Sequence, residues 1–306
     1  MKAVVFAYHN MGLTGLEALV RHGYDIAAVF THEDDPGENC WFGSVKNWAK
    51  QKNIEVYTTE KVNSPDWVAK IAALHPDVIF SFYYRKMIRP EILELPRVGA
   101  FNLHGSYLPH YRGRCPVNWV IIKGEKQTGV TLHYMVEKPD AGDIVGQKAV
   151  MIEISDTAKT LYDKMCVAAK ELLDALLPLI KEEKIPRQNQ NLEEGSYFGG
   201  RRPEDGRIDW KKSADEIYNL IRAVTEPYPG AFALLDNDQK IIIWWAEPAV
   251  SHEADTPGKL IITDKEVLVQ TGKNAIKLLD IEIRETRLKG EQINNYFENE
   301  KVKELK

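Results

Sequence analysis

Short runs of β-branched and aromatic residues alternate with amphipathic stretches through the first half of the chain. Lys2 to Ala7 predicts a buried strand, followed by a helix to about His22, a strand from Ile26 to Phe30 and a helix from Ser44 to Lys52. The alternation continues with Glu55 to Tyr57, a helix near Pro65 to Leu74, and strands at Asp77 to Ser81 and Gly99 to His104. Strands separated by helices in this way predict an α/β unit built on one open, doubly wound, mainly parallel sheet. A hairpin-like pair, Thr128 to Met135 and Ile144 to Met151, comes next. It precedes a long helix from about Thr157 to Lys181, in which Leu161, Met165, Ala168, Leu172 and Ala175 recur near helical spacing and should cover one sheet face. From Glu182 to Tyr197 the chain is polar and predicts a boundary crossing. Beyond it, one helix, Ala214 to Val224, and short strands at Ile241 to Ala246, Gly258 to Ile262, Val267 to Thr271 and Ile276 to Glu282 predict a small β-barrel. The pattern divides the chain into an α/β domain over 1–190, a linker over 191–203 and a barrel domain over 204–306.

Size supports that division, since 306 residues exceed the roughly 250 at which a single core stops growing. No segment approaches the roughly 18 consecutive apolar residues of a membrane span, so a soluble protein without membrane contact is expected. The opening apolar run is shorter than a signal-peptide core and suits a first strand. Cys40, Cys115 and Cys166 are odd in number and far apart, which fits neither a disulfide framework nor a zinc knuckle, and a reducing cytoplasm is the expected compartment. The net charge of −5 is spread along the chain, so nucleic acid is not an expected partner. No His, Cys or carboxylate cluster has metal-ligand spacing, and no metal is expected.

In open parallel sheets, ligands sit beyond the carboxyl ends of strands. Asn102 and His104 stand two apart at one such end, hence on one side of an extended segment, with Gly105 following. Further on, Glu137 to Asp143 is a turn that can present Asp140 toward them. In acyl transfer, a base must take a proton from the nucleophile and a donor must steady the oxyanion. An imidazole and a carboxamide suit those roles, and a neighbouring carboxylate favours the protonated imidazole. Each residue type also has a structural use, in turns or as a hydrogen-bonded core group, and spacing alone leaves both readings open.

Asn102-Leu103-His104, joined to Asp140-Ala141-Gly142, resembles the signature of the formyltransferases that use 10-formyltetrahydrofolate. The likeness extends over Asn102 to Trp119 and into the second half, where Gly206-Arg207-Ile208-Asp209-Trp210 and Arg222 to Phe232 resemble the opening of that family's C-terminal domain. The resemblance implies a Rossmann-like catalytic domain followed by an OB-like barrel. It implies that His104 transfers the proton, that Asn102 steadies the transition state and that Asp140 favours the charged imidazole. It further implies a folate slot lined by Lys86, Met87 and Ile88, by Arg114, and by Val136, Glu137, Lys138, Pro139 and Asp140. Met87 and Ile88 could equally be core and Arg114 a solvated charge; such a mixture also suits the flat apolar walls and few polar contacts a pterin needs.

The family's two leading acceptors, aminoacyl tRNA and a nucleotide-linked amino sugar, demand opposite electrostatics. The stretch Thr31 to Cys40 carries Glu33, Asp34, Asp35 and Glu38 and no Lys or Arg, where tRNA-directed relatives are typically basic. Phe6 to Gly12, Thr31-His32, Asp35 to Glu38, Phe42 to Val45, Phe80 to Arg85 and Pro116 to Trp119 resemble the formyltransferase domain acting on UDP-4-amino-4-deoxy-L-arabinose in lipid A modification and polymyxin resistance. In that group an NAD-dependent decarboxylase domain commonly follows on the same chain, so such a domain or partner is expected in the same pathway. Asn10, Met11 and Gly12, at the first strand's end, are candidates for holding the acceptor. Gly12-Leu13-Thr14-Gly15 is not a dinucleotide fingerprint, and NAD is not expected here. A hydrolase passing the formyl group to water could use the same three side chains.

Overall fold

An unbroken apolar run needs cover on both faces, and the first strand has it: β1 (Lys2–Ala7) is buried from Ala3 through Ala7. The computed structural model describes residues 1–34, 37, 39–235, 238–251 and 256–306. Its chain forms two units, one of Met1–Pro116, Gln127–Met151 and Tyr162–Gly199, the other of Val117–Lys126, Ile152–Leu161 and Gly200–Lys306.

In the first unit, β1 is followed by α1 (His9–Arg21), β2 (Asp25–Thr31), α2 (Val45–Gln51), β3 (Val56–Thr58), α3 (Pro65–Ala73), β4 (Val78–Phe82), α4 (Pro90–Leu93) and β5 (Gly99–His104). The five strands run parallel, as βαβ crossovers require. Local chemistry starts the helices. Ser44 Oγ accepts from the Asn47 amide to cap α2, and Pro65 opens α3, where a missing N–H costs nothing. After the short β6 (Arg112–Gly113) and α5 (Pro116–Ile122), which belongs to the second unit from Val117 on, β7 (Gln127–Tyr134) and β8 (Ile144–Met151) extend the sheet antiparallel. The strand order is β3-β2-β1-β4-β5-β7-β8, a Rossmann-like sheet with an antiparallel edge.

Strand alternation fills two layers. Val4, Phe6, Ala28, Phe30, Ile79 and Ala100 share one cluster with Ile71 and Ile92. Ala100, Asn102 and His104 point to that same side, so the sheet face is apolar at its centre and polar at its carboxyl end. The helix α6 (Ala158–Lys181) has Leu173, Leu177 and Ile180 fully buried, and its Leu177 carbonyl accepts from Tyr24 Oη at 2.7 Å.

The segment expected as a boundary crossing is hydrogen-bonded to the first unit. Gln188 pairs with Ile144, and β9 (Tyr197–Phe198) pairs in parallel with β6. Its polar composition gives no apolar period because backbone and side-chain hydrogen bonds hold it in place.

In the second unit, α7 (Ala214–Val224) begins with a capping box formed by Ser213 and Glu216. It is followed by β10 (Ala231–Leu234), β11 (Lys240–Ala249), β12 (Leu260–Ile262), β13 (Val267–Gln270), β14 (Ala275–Ile283), β15 (Thr286–Lys289) and α8 (Glu291–Glu300). The strands form an antiparallel sheet in the order β10-β11-β14-β13-β12, with β15 on β14. Residues 303–306 join its edges: Leu260 N donates to Lys303 O and Leu305 N to Gly258 O, while Leu234 and Lys306 exchange both backbone bonds. One four-residue segment thereby closes the small barrel. The pattern does not predict α4, α5, β6, β9, β10, β15 or α8; α8 is mostly polar and buries only Ile293, Asn294 and Phe297.

Leu305 is 2% exposed on that closing segment. Leu305→Ala should destabilise the protein by about 2–5 kcal/mol, read as a lower urea midpoint with an unchanged slope. A shift indistinguishable from zero would mean that the segment adds nothing to barrel packing.

Candidate active site

The end of β5 positions the first two side chains, and its partner strand adds a third. In the antiparallel pair β5–β7, Asn102 stands opposite His133 and His104 opposite Thr131. Cross-strand neighbours share a face, so the His133 imidazole lies beside the Asn102 carboxamide, with Nε2 and Nδ2 3.1 Å apart. After β7 the chain turns through Asp140, whose backbone is left-handed at φ 53°. Asn102 Nδ2 donates to Asp140 Oδ1 at 3.4 Å, and His104 Nδ1 lies 3.4 Å from the same oxygen. The other carboxylate oxygen accepts from the Gly113 amide at 2.9 Å. His104 Nε2 donates to the Tyr111 carbonyl at 2.9 Å. The structure thus brings Asn102, His104 and Asp140 together.

Two glycines explain why the motif reads as it does. A Cβ on Gly142 would strike the Tyr134 carbonyl, so the turn carrying Asp140 closes only with glycine there. A Cβ on Gly105 would sit 2.5 Å from Tyr83 Oη, which lies over the residue following His104. Left-handed backbone recurs around these groups, at His9 (φ 66°), Tyr83 (58°), Tyr111 (57°) and Cys115 (54°) as well as Asp140. Non-glycine residues hold such angles only where their surroundings over-determine them.

Burial by itself would push the Asp140 carboxyl up. A proton carried by His104 and the Gly113 N–H outweigh it and hold the group well below the usual carboxylate range. Asp140 is therefore an anion set among donors. A proton arriving on His104 finds an acceptor at each ring nitrogen: the Tyr111 carbonyl at Nε2 and the carboxylate at Nδ1. The arrangement can take a proton, stabilise the cation formed and offer an amide donor beside it.

The polar stretch after α6 ties the loops that complete this set. Gln190 Nε2 donates to the Asp140 carbonyl at 3.1 Å and also to that of Gly142. Ser196 Oγ accepts from Tyr111 N at 2.8 Å, Arg112 N donates to Ser196 O at 3.0 Å, and Phe198 stacks on Tyr111 with centroids 5.0 Å apart. One strap fixes both the carbonyl that meets His104 and the turn that carries Asp140.

Residues 1–177 match the formyl transferase family, and residues 201–298 match the formyl transferase C-terminal domain. The chain belongs to the formyl transferase family. Among solved structures, it resembles a sugar 3N-formyl transferase determined in the presence of dTDP and 5-N-formyl-THF, with a TM-score of 0.66 at 23% identity over 91% of this chain and 97% of that one. An N-formyltransferase from Helicobacter canadensis, in complex with folinic acid and dTDP-3-aminofucose, gives 0.67 at 22% over 91% and 99%. A methionyl-tRNA formyltransferase from Clostridium thermocellum gives 0.59 at 19% over 94% and 100%. At these identities the likeness is one of fold.

The remaining expected site residues of this formyl transferase fall into two groups. Of those expected to line a folate slot, Met87 is 53% exposed and Val136 43%, and Arg114, Glu137 and Lys138 are exposed, whereas Ile88 is 6% exposed and packs in the sheet cluster. Lys86 Nζ is paired with the Glu60 carboxylate and donates to the Glu60 carbonyl at 2.8 Å. Ile88 and Met135 belong to one apolar cluster. Of those expected to hold an acceptor, the structure gives Asn10, Met11 and Gly12 internal partners. Asn10 Oδ1 accepts from Gly43 N at 2.8 Å, Met11 is fully buried, and Gly12 packs against Ala7. What gathers near that strand end is an aromatic group: Tyr162 Oη accepts from Met11 N at 2.7 Å and is hydrogen-bonded to His9 Nδ1 at 2.6 Å, with Trp41, Phe42 and Tyr83 around it. In the acidic stretch, Glu33 is bonded to Lys46 and Thr58, and Asp34 accepts from Tyr8 Oη at 3.3 Å; Asp35 and Glu38 lie outside the described residues. Lys46 thus supplies a cation that the linear stretch lacks. Among the described residues, no cluster of His, Cys, Asp or Glu is arranged to hold a metal ion, and no helix is long and apolar enough to cross a membrane.

A carboxyl held low in the folded protein contributes stability above its unfolded value of about 3.9, and that contribution drains away as pH falls below it. Urea titrations from neutral pH to pH 3 should show the wild-type losing stability along this acid limb. Asp140→Asn should be less stable at neutral pH and flatter toward acid. Parallel acid limbs in the two proteins would rule out Asp140 as a source of the dependence.

Proposed function

We propose that this formyl transferase moves the formyl group of 10-formyltetrahydrofolate onto the amine of a nucleotide-linked amino sugar. The observation that carries the proposal is the meeting of an imidazole, a carboxamide and a largely buried carboxylate at one strand end of a formyl transferase fold. The acceptor amine attacks the formyl carbon, a C–N bond forms, and the carbonyl electron pair moves onto oxygen. With Nε2 donating to Tyr111, the lone pair of His104 is on Nδ1; the amine proton taken there is met by Asp140. As the carboxylate turns to the imidazolium, the Asn102 hydrogen that reached it across 3.4 Å becomes available to the oxyanion. Collapse of the intermediate breaks the bond to N10, and His104 returns the proton to the leaving tetrahydrofolate.

The sugar that best fits the sequence words is UDP-4-amino-4-deoxy-L-arabinose, formylated on its 4-amino group. Support for a sugar rather than tRNA comes from the lack of basic residues in Thr31 to Cys40 and from relatives of the same fold named as sugar formyltransferases.

Incubated with 10-formyltetrahydrofolate and a panel of UDP- and dTDP-amino sugars, the protein should give N-formyl product most rapidly from UDP-4-amino-4-deoxy-L-arabinose. Folate deformylation should depend on added amine. Preference for a dTDP sugar would move the assignment to another amino sugar, and amine-independent turnover would replace it with a hydrolase. In a second experiment, His104→Ala should lower kcat by ~10²–10⁴-fold while folate affinity by equilibrium titration stays close to wild-type. Undiminished turnover would remove His104 from the chemistry.

A further inference from the structure

We infer that His133 is a positioning residue that sets which end of the Asn102 carboxamide faces the reaction. The inference rests on the transfer proposed above and extends it to a residue outside the three-residue motif. His133 is 2% exposed, and both of its ring nitrogens are engaged. Nδ1 lies 2.8 Å from the Tyr134 carbonyl, which can only accept, so Nδ1 carries a hydrogen. Nε2 lies 3.1 Å from Asn102 Nδ2, which can only donate, so Nε2 carries the lone pair. At 3.6 Å from Asp140 Oδ1, the same Nε2 is beyond hydrogen-bonding distance of the carboxylate.

Carboxamide nitrogen and oxygen are nearly the same size, so shape alone does not orient an asparagine. Two acceptors do so here, His133 Nε2 and Asp140 Oδ1, one for each hydrogen of Nδ2. Turning the amide over would place Asn102 Oδ1 against a carboxylate oxygen at 3.4 Å and against a lone pair at 3.1 Å. The two bonds differ in length, and the difference assigns their roles. The shorter, to His133, anchors the amide through the reaction; the longer, to Asp140, is the one an oxyanion can take over. Without the His133 acceptor, the amide would keep one partner and could present its oxygen to the developing negative charge.

The test compares His133→Gln with His133→Met, side chains of similar length of which the first retains an acceptor. Each is made alone and with Asn102→Ala, after folding and folate binding have been verified. His133→Met should lower kcat on the order of 10-fold or more, short of the ~10²–10³-fold typical of losing an oxyanion donor itself, with KM for both substrates little changed. His133→Gln should recover most of that loss, and in the Asn102→Ala background the two variants should be equal. Equal losses in Gln and Met, or a further loss on top of Asn102→Ala, would overturn the inference and leave His133 a packing residue. A substrate-free reading runs beside it: the Asn102 side-chain amide protons should exchange slowly with solvent in wild-type and His133→Gln and faster in His133→Met. Should wild-type transfer formyl to no acceptor, the proposed function fails while these exchange rates still decide the role of His133. Should His133→Met not fold, His133→Leu takes its place, and failure of both beside a folded but inactive His133→Gln would also refute the inference.

Discussion

A carboxylate withdrawn from water must be repaid in hydrogen bonds, and the site is organised around that demand. Asp140 has a side chain only 12% exposed, and its donors come from distant stretches: Asn102 on β5 and the Gly113 amide on β6, with His104 Nδ1 joining them once protonated. Removing a partner from a buried charged group typically costs about 3–5 kcal/mol. The loops are therefore placed by the same interactions that stabilise the anion. The left-handed backbones at Tyr111 and Asp140 are tolerated because these bonds over-determine both turns.

Much of the sheet was legible because strand and helix periods differ and the first half alternates between them cleanly. The side chains at the end of β5 were legible for the same reason, since Asn102 and His104 must share a face once the strand is recognised. Gly142 marked the turn, although its physical reason, the nearby Tyr134 carbonyl, required coordinates. His133 was hidden in an apolar run that was correctly read as a strand. Nothing in that run states its register, and the register is what sets His133 opposite Asn102.

Composition misled where hydrogen bonds replace hydrophobic burial. The residues after α6 are polar and unperiodic, yet Gln190 and Ser196 are tied to the loops around the site. Expectations from strand ends were also too coarse at α1, where Met11 and Gly12 are absorbed by packing and His9, Tyr83 and Tyr162 form the polar and aromatic surround. Ile88 illustrates the same limit, because an alternating segment supplies both a core side chain and, one residue earlier, the exposed Met87.

The strap also bears on where the catalytic part of the chain can be cut. The match to the family's N-terminal part ends at residue 177, before Gln190 and Ser196. A fragment trimmed at that boundary would retain Asn102, His104 and Asp140 but lose the hydrogen bonds from Gln190 and Ser196 to the turns around them. The hydrogen-bonded unit is thus longer than the stretch by which its kinship is recognised, and reaches at least to the ring of Phe198 lying on Tyr111.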